Sequence, residues 1–131
     1  MATLTATPAD KTISMNRNSQ YGSTTITWTA PSVPDGSTIT SCVLTGTATP
    51  SNTITGITIG DQLINASGGS FSVNLGNTIS SSVSATATKS KRASITVTFT
   101  DMTYTVTYEE PLQSIESLSF DVSEVRLIVG E

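Results

Sequence analysis

The 131-residue sequence predicts an all-β protein, an antiparallel β-sandwich of about seven short strands. Three observations carry that expectation. The chain holds 25 Thr and 20 Ser but only 12% charged residues, and Thr suits half-buried pleated surfaces while Ser suits turns. Apolar residues alternate with small polar ones in run after run, the period of a strand with one buried face. Clusters of Gly, Pro, Asn and Asp interrupt these runs about every ten residues, as in two packed sheets of short strands.

Taken in order, residues 1–10 are expected as an N-terminal arm and residues 11–16 as a first strand. Residues 24–30 place Ile26 and Trp28 on one face, and Pro31, Pro34, Asp35 and Gly36 then make a loop. Strands follow over residues 39–49, 54–59 and 70–75, the last with Phe71, Val73 and Leu75 in phase. Val83, Ala85 and Ala87 form one more in-phase set and Ile95, Val97 and Phe99 another, with Lys89, Ser90, Lys91 and Arg92 between them as a hairpin tip. The apolar set then moves from odd positions to even ones, Tyr104, Val106 and Tyr108. One inserted residue reverses which side faces the core, so Asp101 and Met102 are expected at a bulge or strand break. The sandwich thus spans residues 11–110, and residues 111–131 stand apart from it.

The net charge of -4 and pI near 4.6 argue against a nucleic-acid partner, which calls for a basic face. A single cysteine, Cys42, rules out an internal disulfide, so core packing alone must hold the fold. No basic-then-apolar run follows Met1, so no signal peptide is expected, and no apolar stretch approaches the roughly 20 residues that cross a bilayer. Without histidine, Ser-His-Asp and Cys-His catalysis and histidine-based metal sites are excluded. No cofactor, metal or catalytic residue is expected.

Residues 23–44, STTITWTAPSVPDGSTITSCVL, resemble the second and third strands of a fibronectin type III domain. They share a Trp on the second strand, a nearby Pro, a Gly-bearing turn and an Ile-Thr pair leading the third strand. Leu75, Val83, Ala85 and Ala87 resemble that family's passage into its sixth strand. Cys42 stands where the family has Tyr, and Ser81 where it has its corner Tyr. The resemblance covers roughly residues 11–108 and implies an immunoglobulin-like sandwich. Residues 114–131, SIESLSFDVSEVRLIVGE, resemble the opening of a bacterial Ig-like domain of group 2, and so the first strand of an incomplete second domain. Modules of both kinds occur in series in tail, neck, capsid-decoration and fibre proteins of tailed phages. The resemblance therefore implies a virion protein assembled in the host cytoplasm, bound to other virion proteins in many copies.

Among candidate sites, Cys42 has no positive neighbour or helix start to activate it and reads as a small buried hydrophobe. Asp35, Asp61, Asp101, Glu109 and Glu110 have no calcium-loop spacing, and Asp35 and Asp61 sit where turns favour Asp. Asn65, Ala66 and Ser67 form a glycosylation sequon, without consequence where no secretory signal precedes it. Trp28 reads as the core anchor. Tyr104 and Tyr108 on a terminal edge strand are candidate interface residues, joined by Leu118, Phe120 and Val122. Lys89, Lys91 and Arg92, three of six basic residues, are the candidate surface-binding cluster, fit to meet phosphate groups of a host surface or to stand as an ordinary solvated turn. The leading functional expectation is a non-enzymatic structural module of a phage particle. The alternative is a host-surface or carbohydrate-binding module of a fibre or adhesin.

Overall fold

The computed structural model describes residues 1–111, which form nine strands and no helix. These are β1 (Ala2–Ala6), β2 (Lys11–Met15), β3 (Tyr21–Thr27), β4 (Thr38–Pro50), β5 (Gly56–Ile59), β6 (Gln62–Ile64), β7 (Gly69–Asn74), β8 (Ser82–Thr88) and β9 (Ile95–Glu109). One sheet has the order β1-β9-β4-β7 with β2 also on β9, the other β3-β8-β5-β6, and every pairing is antiparallel. The architecture is an all-β, immunoglobulin-like sandwich. Residues 111–131, expected as a linker and opening strand with Leu118, Phe120 and Val122, lie outside the described residues except for Pro111.

Nine strands stand where about seven were expected. The N-terminal residues are not an arm: β1 pairs with one half of β9, from Ala2 opposite Tyr108 to Ala6 opposite Tyr104. β2 continues along the same edge, from Lys11 opposite Phe99 to Met15 opposite Ile95. Pro8, which has no N–H to give a ladder, is buried in the break between them.

The expected bulge is present, inside one continuous strand. Asp101 has φ 54°, and the register slips so that Thr100 and Thr103 of β9 lie opposite Thr47 and Thr45 of β4. The extra residue on β9 lets both apolar phases face inward: Ile95, Val97 and Phe99 before it, and Met102, Tyr104, Val106 and Tyr108 after it, are all buried. Gly46 lies under this point, where an added Cβ would come within 2.6 Å of Met102 Cγ and 2.9 Å of Phe71 Cζ. β9 has neighbours on both sides, so it is a central strand and not an edge. That corrects the expectation for Tyr104 and Tyr108, which are 0% and 7% exposed and belong to the interior.

The core lies between the sheets, with Ile13, Leu44, Val73 and Phe99 from one facing Ile26, Ile57, Ile59 and Ala85 from the other. Each large aliphatic buried there contributes about 1.5–3 kcal/mol. Two contacts close the flanks. On one side β2 presses on β3 at Gly22, where an added Cβ would meet Ile13 Cγ2 and Met15 Cγ at 2.7 Å. On the other, the Gln62 amide reaches from β6 to β7, donating through Nε2 to the Asn74 carbonyl and accepting the Asn74 N–H through Oε1. A side chain thereby takes the place of a neighbouring strand at that edge.

Candidate functional site

Antiparallel pairing sorts the loops into two ends. Residues 16–20, 51–55, 65–68 and 89–94 gather at one end, where β2, β4, β6 and β8 finish and β3, β5, β7 and β9 begin. Residues 28–37, 60–61 and 75–81 gather at the other, beside Met1 and Glu109. Pro111 is also there, with its Cβ 3.3 Å from where Gly36 would carry one.

Charge follows the same division. The first end carries Arg17, Lys89, Lys91 and Arg92, and its four loops contain no Asp or Glu. The second carries Asp35, Asp61, Glu109 and Glu110, with the Met1 amino group as a counter-charge and no Lys or Arg in its loops. Among the described residues, an acidic chain thus presents a basic end.

The basic residues are not at a hairpin tip as expected. β8 and β9 belong to different sheets, so residues 89–94 form a crossover between them. Nor is Lys89 a surface residue: it is 3% exposed, and its Nζ donates to the carbonyls of Arg17 at 3.5 Å and Lys91 at 3.0 Å. Its own N–H donates to the Gln20 carbonyl at 3.0 Å. A buried ammonium gains most when it meets fixed carbonyl dipoles, and here it clamps two loops together. The signal was in the sequence, because Lys89 continues the inward phase of Ala85 and Ala87.

Lys91 and Arg92 are exposed, as expected of surface-binding residues, and Arg17 joins them. Arg17 gives no such signal in the sequence, because 72 residues separate it from Lys89 and only the fold brings the two loops into contact. Lys91 Nζ donates to Asn52 Oδ1 at 3.1 Å, and the same oxygen accepts the Thr53 N–H at 2.8 Å. Ser51 is fixed to β9, its N–H donating to the Thr96 carbonyl and its Oγ accepting the Thr96 N–H. Beside these residues an open, mainly polar hollow of about 390 Å³ is lined by Pro50, Ser51, Asn52, Thr53, Ile54, Ala66 and Ser67. Its far wall is shaped by Asn65, whose Oδ1 accepts the Ser67 N–H at 2.9 Å.

The remaining candidates fall elsewhere. Cys42 is wholly buried and its thiol donates to the Thr78 carbonyl at 3.6 Å. Trp28 packs in the core just beyond β3. Asp35 and Asp61 occupy turns, and Asp101 lies exposed on the bulge. Among the described residues, no three of the Cys, Asp and Glu side chains converge as a metal site requires, and no helix is long and apolar enough to cross a membrane. A scan of protein-family models and a search of curated proteins returned no match to this chain.

Proposed function

We propose that this chain is a non-enzymatic structural module of a bacteriophage virion, in a tail, neck, capsid decoration or fibre. In this reading it is made in the host cytoplasm and assembles in many copies through contacts with other virion proteins. The observation that carries it is the shared position of Met1 and Pro111 at one end of a sandwich closed on both flanks. A rigid module whose chain enters and leaves at one end is suited to be mounted by that end, leaving the opposite loops free. The resemblance of residues 23–44 and 114–131 to Ig-like modules supports the same reading. The absence of histidine from the sequence supports the non-enzymatic part.

A second reading, binding of a host surface or carbohydrate, draws on the basic end and its polar hollow. Mass spectrometry of gradient-purified phage particles tests the first. Peptides of this chain at a fixed ratio to the major structural proteins are expected. Their absence from particles, with the protein found on the bacterial envelope instead, would overturn it.

A further inference from the structure

We infer that the basic loop end is a docking site for an anionic polysaccharide. Arg17, Lys91 and Arg92 hold its phosphate or sulfate groups, and the polar rim at Ser51, Asn52 and Thr53 holds its sugar hydroxyls. The inference deepens the host-surface reading and rests on it for where the ligand is met, but not on the chain belonging to a virion.

Three features converge on it. The first is charge: three exposed cations stand in loops that contain no carboxylate. β4, with 13 residues, spans the sandwich, so the acidic end lies about 40 Å away, several times the Debye length of about 8 Å at physiological salt. The acidic end therefore leaves the field at the basic end largely intact, and a polyanion meets it as a positive surface on an acidic protein.

The second is preorganisation. The buried Lys89 ammonium ties the Arg17 carbonyl to the Lys91 carbonyl, so the backbones that carry two cations, distant in sequence, are joined before any ligand arrives. The bond from Lys91 to Asn52 extends that frame to the hollow. Order already present in the free protein need not be imposed on binding.

The third is the mix of groups. Sugar hydroxyls both donate and accept hydrogen bonds, and hydroxyl and amide side chains on the rim match that chemistry. Cations beside them match a phosphate or sulfate substituent on the same chain.

The test uses the complete 131-residue chain against immobilised poly(glycerol phosphate) teichoic acid, heparin, neutral dextran and inorganic polyphosphate, each over a salt series. Retention on teichoic acid or heparin but not dextran is expected, and the tighter of the two identifies phosphate or sulfate as the recognised group. The triple variant R17S/K91S/R92S should keep the wild-type melting curve, because all three side chains are exposed, and lose about tenfold or more in affinity with a flatter salt dependence. Asn52→Ala should weaken glycan binding more than polyphosphate binding, because it removes a rim amide as well as the partner of Lys91. Equal retention of the triple variant, or no preference for anionic glycans over dextran, overturns the inference. So does polyphosphate binding as tight as glycan binding with no effect of Asn52→Ala, which marks a general polyanion surface. Salt-sensitive self-association without ligand, abolished by Glu109→Gln with Glu110→Gln, would also overturn it by making the acidic end of a second copy the occupant. None of these results bears on whether the chain is found in particles.

Discussion

Trp28 and Tyr104 meet across the sandwich with ring centroids 4.4 Å apart and planes tilted by 30°, and both polar tips hold the backbone of Ser80. Trp28 Nε1 donates to the Ser80 carbonyl at 2.7 Å, while the Ser80 N–H donates to the Tyr104 hydroxyl at 3.0 Å. Trp28 also donates its own N–H to the Ser81 carbonyl at 3.0 Å. Two aromatic rings, one on β9 and one just beyond β3, thus pin the loop that leads into β8. Trp28→Ala removes both the packing and the hydrogen bond and should cost about 3–5 kcal/mol. Tyr104→Phe keeps the ring and orphans the Ser80 N–H, for a smaller loss of about 1 kcal/mol. Urea unfolding of the two variants checks the order of these effects; equal losses would mean that the hydroxyl, and not the ring pair, holds the loop.

Burial of Tyr104, reinforced by the neighbouring Cys42 thiol, raises its pKa above the ordinary 10.0 despite the opposing hydrogen bond from Ser80. The sign follows from the neutral form being the one favoured in the fold. Above about pH 10 the unfolded chain gives up this proton while the folded chain keeps it, so fewer protons are bound on unfolding and stability falls as pH rises. The contribution is complete below the unfolded value and is lost on the way up to the folded one. Melting temperatures measured through this alkaline range should drop more steeply for the wild type than for Tyr104→Phe. Parallel curves would assign the alkaline loss to other groups.

The closure of the sandwich at Gly22 is equally open to test. A methyl group there has Ile13 and Met15 within 2.7 Å, and neither can withdraw from a filled core without cost. Gly22→Ala should therefore destabilise by about 1–3 kcal/mol, although alanine ordinarily favours a strand over glycine. A neutral or stabilising effect in thermal melts would show that β2 is not held tightly on β3.

Lys89→Met keeps the length of the side chain and removes the ammonium that joins two loops. Amide hydrogen exchange around residues 17–20 and 90–93 should accelerate about tenfold or more, while the paired strands β4 and β9 stay protected. Unchanged exchange in those loops would deny Lys89 its role as a clamp.

These relationships were unequally legible in the sequence. Long alternating runs such as those holding Phe71 and Val73, or Ile95, Val97 and Phe99, disclosed their strands because one face had to be apolar. The phase change at Asp101 disclosed the bulge for the same reason. β1 was hidden because Ala2 to Ala6 offers only Leu4 as a sizeable apolar side chain, and β6 because three residues show no period. Strand order cannot be read from alternation, so nothing in the sequence of Tyr104 and Tyr108 discloses the two N-terminal strands that cover that side of β9. The basic end was half visible: Lys91 and Arg92 announced themselves as a cluster, but Arg17 and Asn52 joined them only through tertiary contact.

The proposed arrangement mounts the module in a phage particle by its acidic end, with the basic loops facing outward. Cryo-electron microscopy of purified particles tests it most directly. Repeated density is expected into which the nine-stranded sandwich fits, joined to the particle near Asp35, Asp61 and Glu109, with Arg17, Lys91 and Arg92 exposed at the far tip. Particles without such density, or with the basic loops buried against another virion protein, would contradict it.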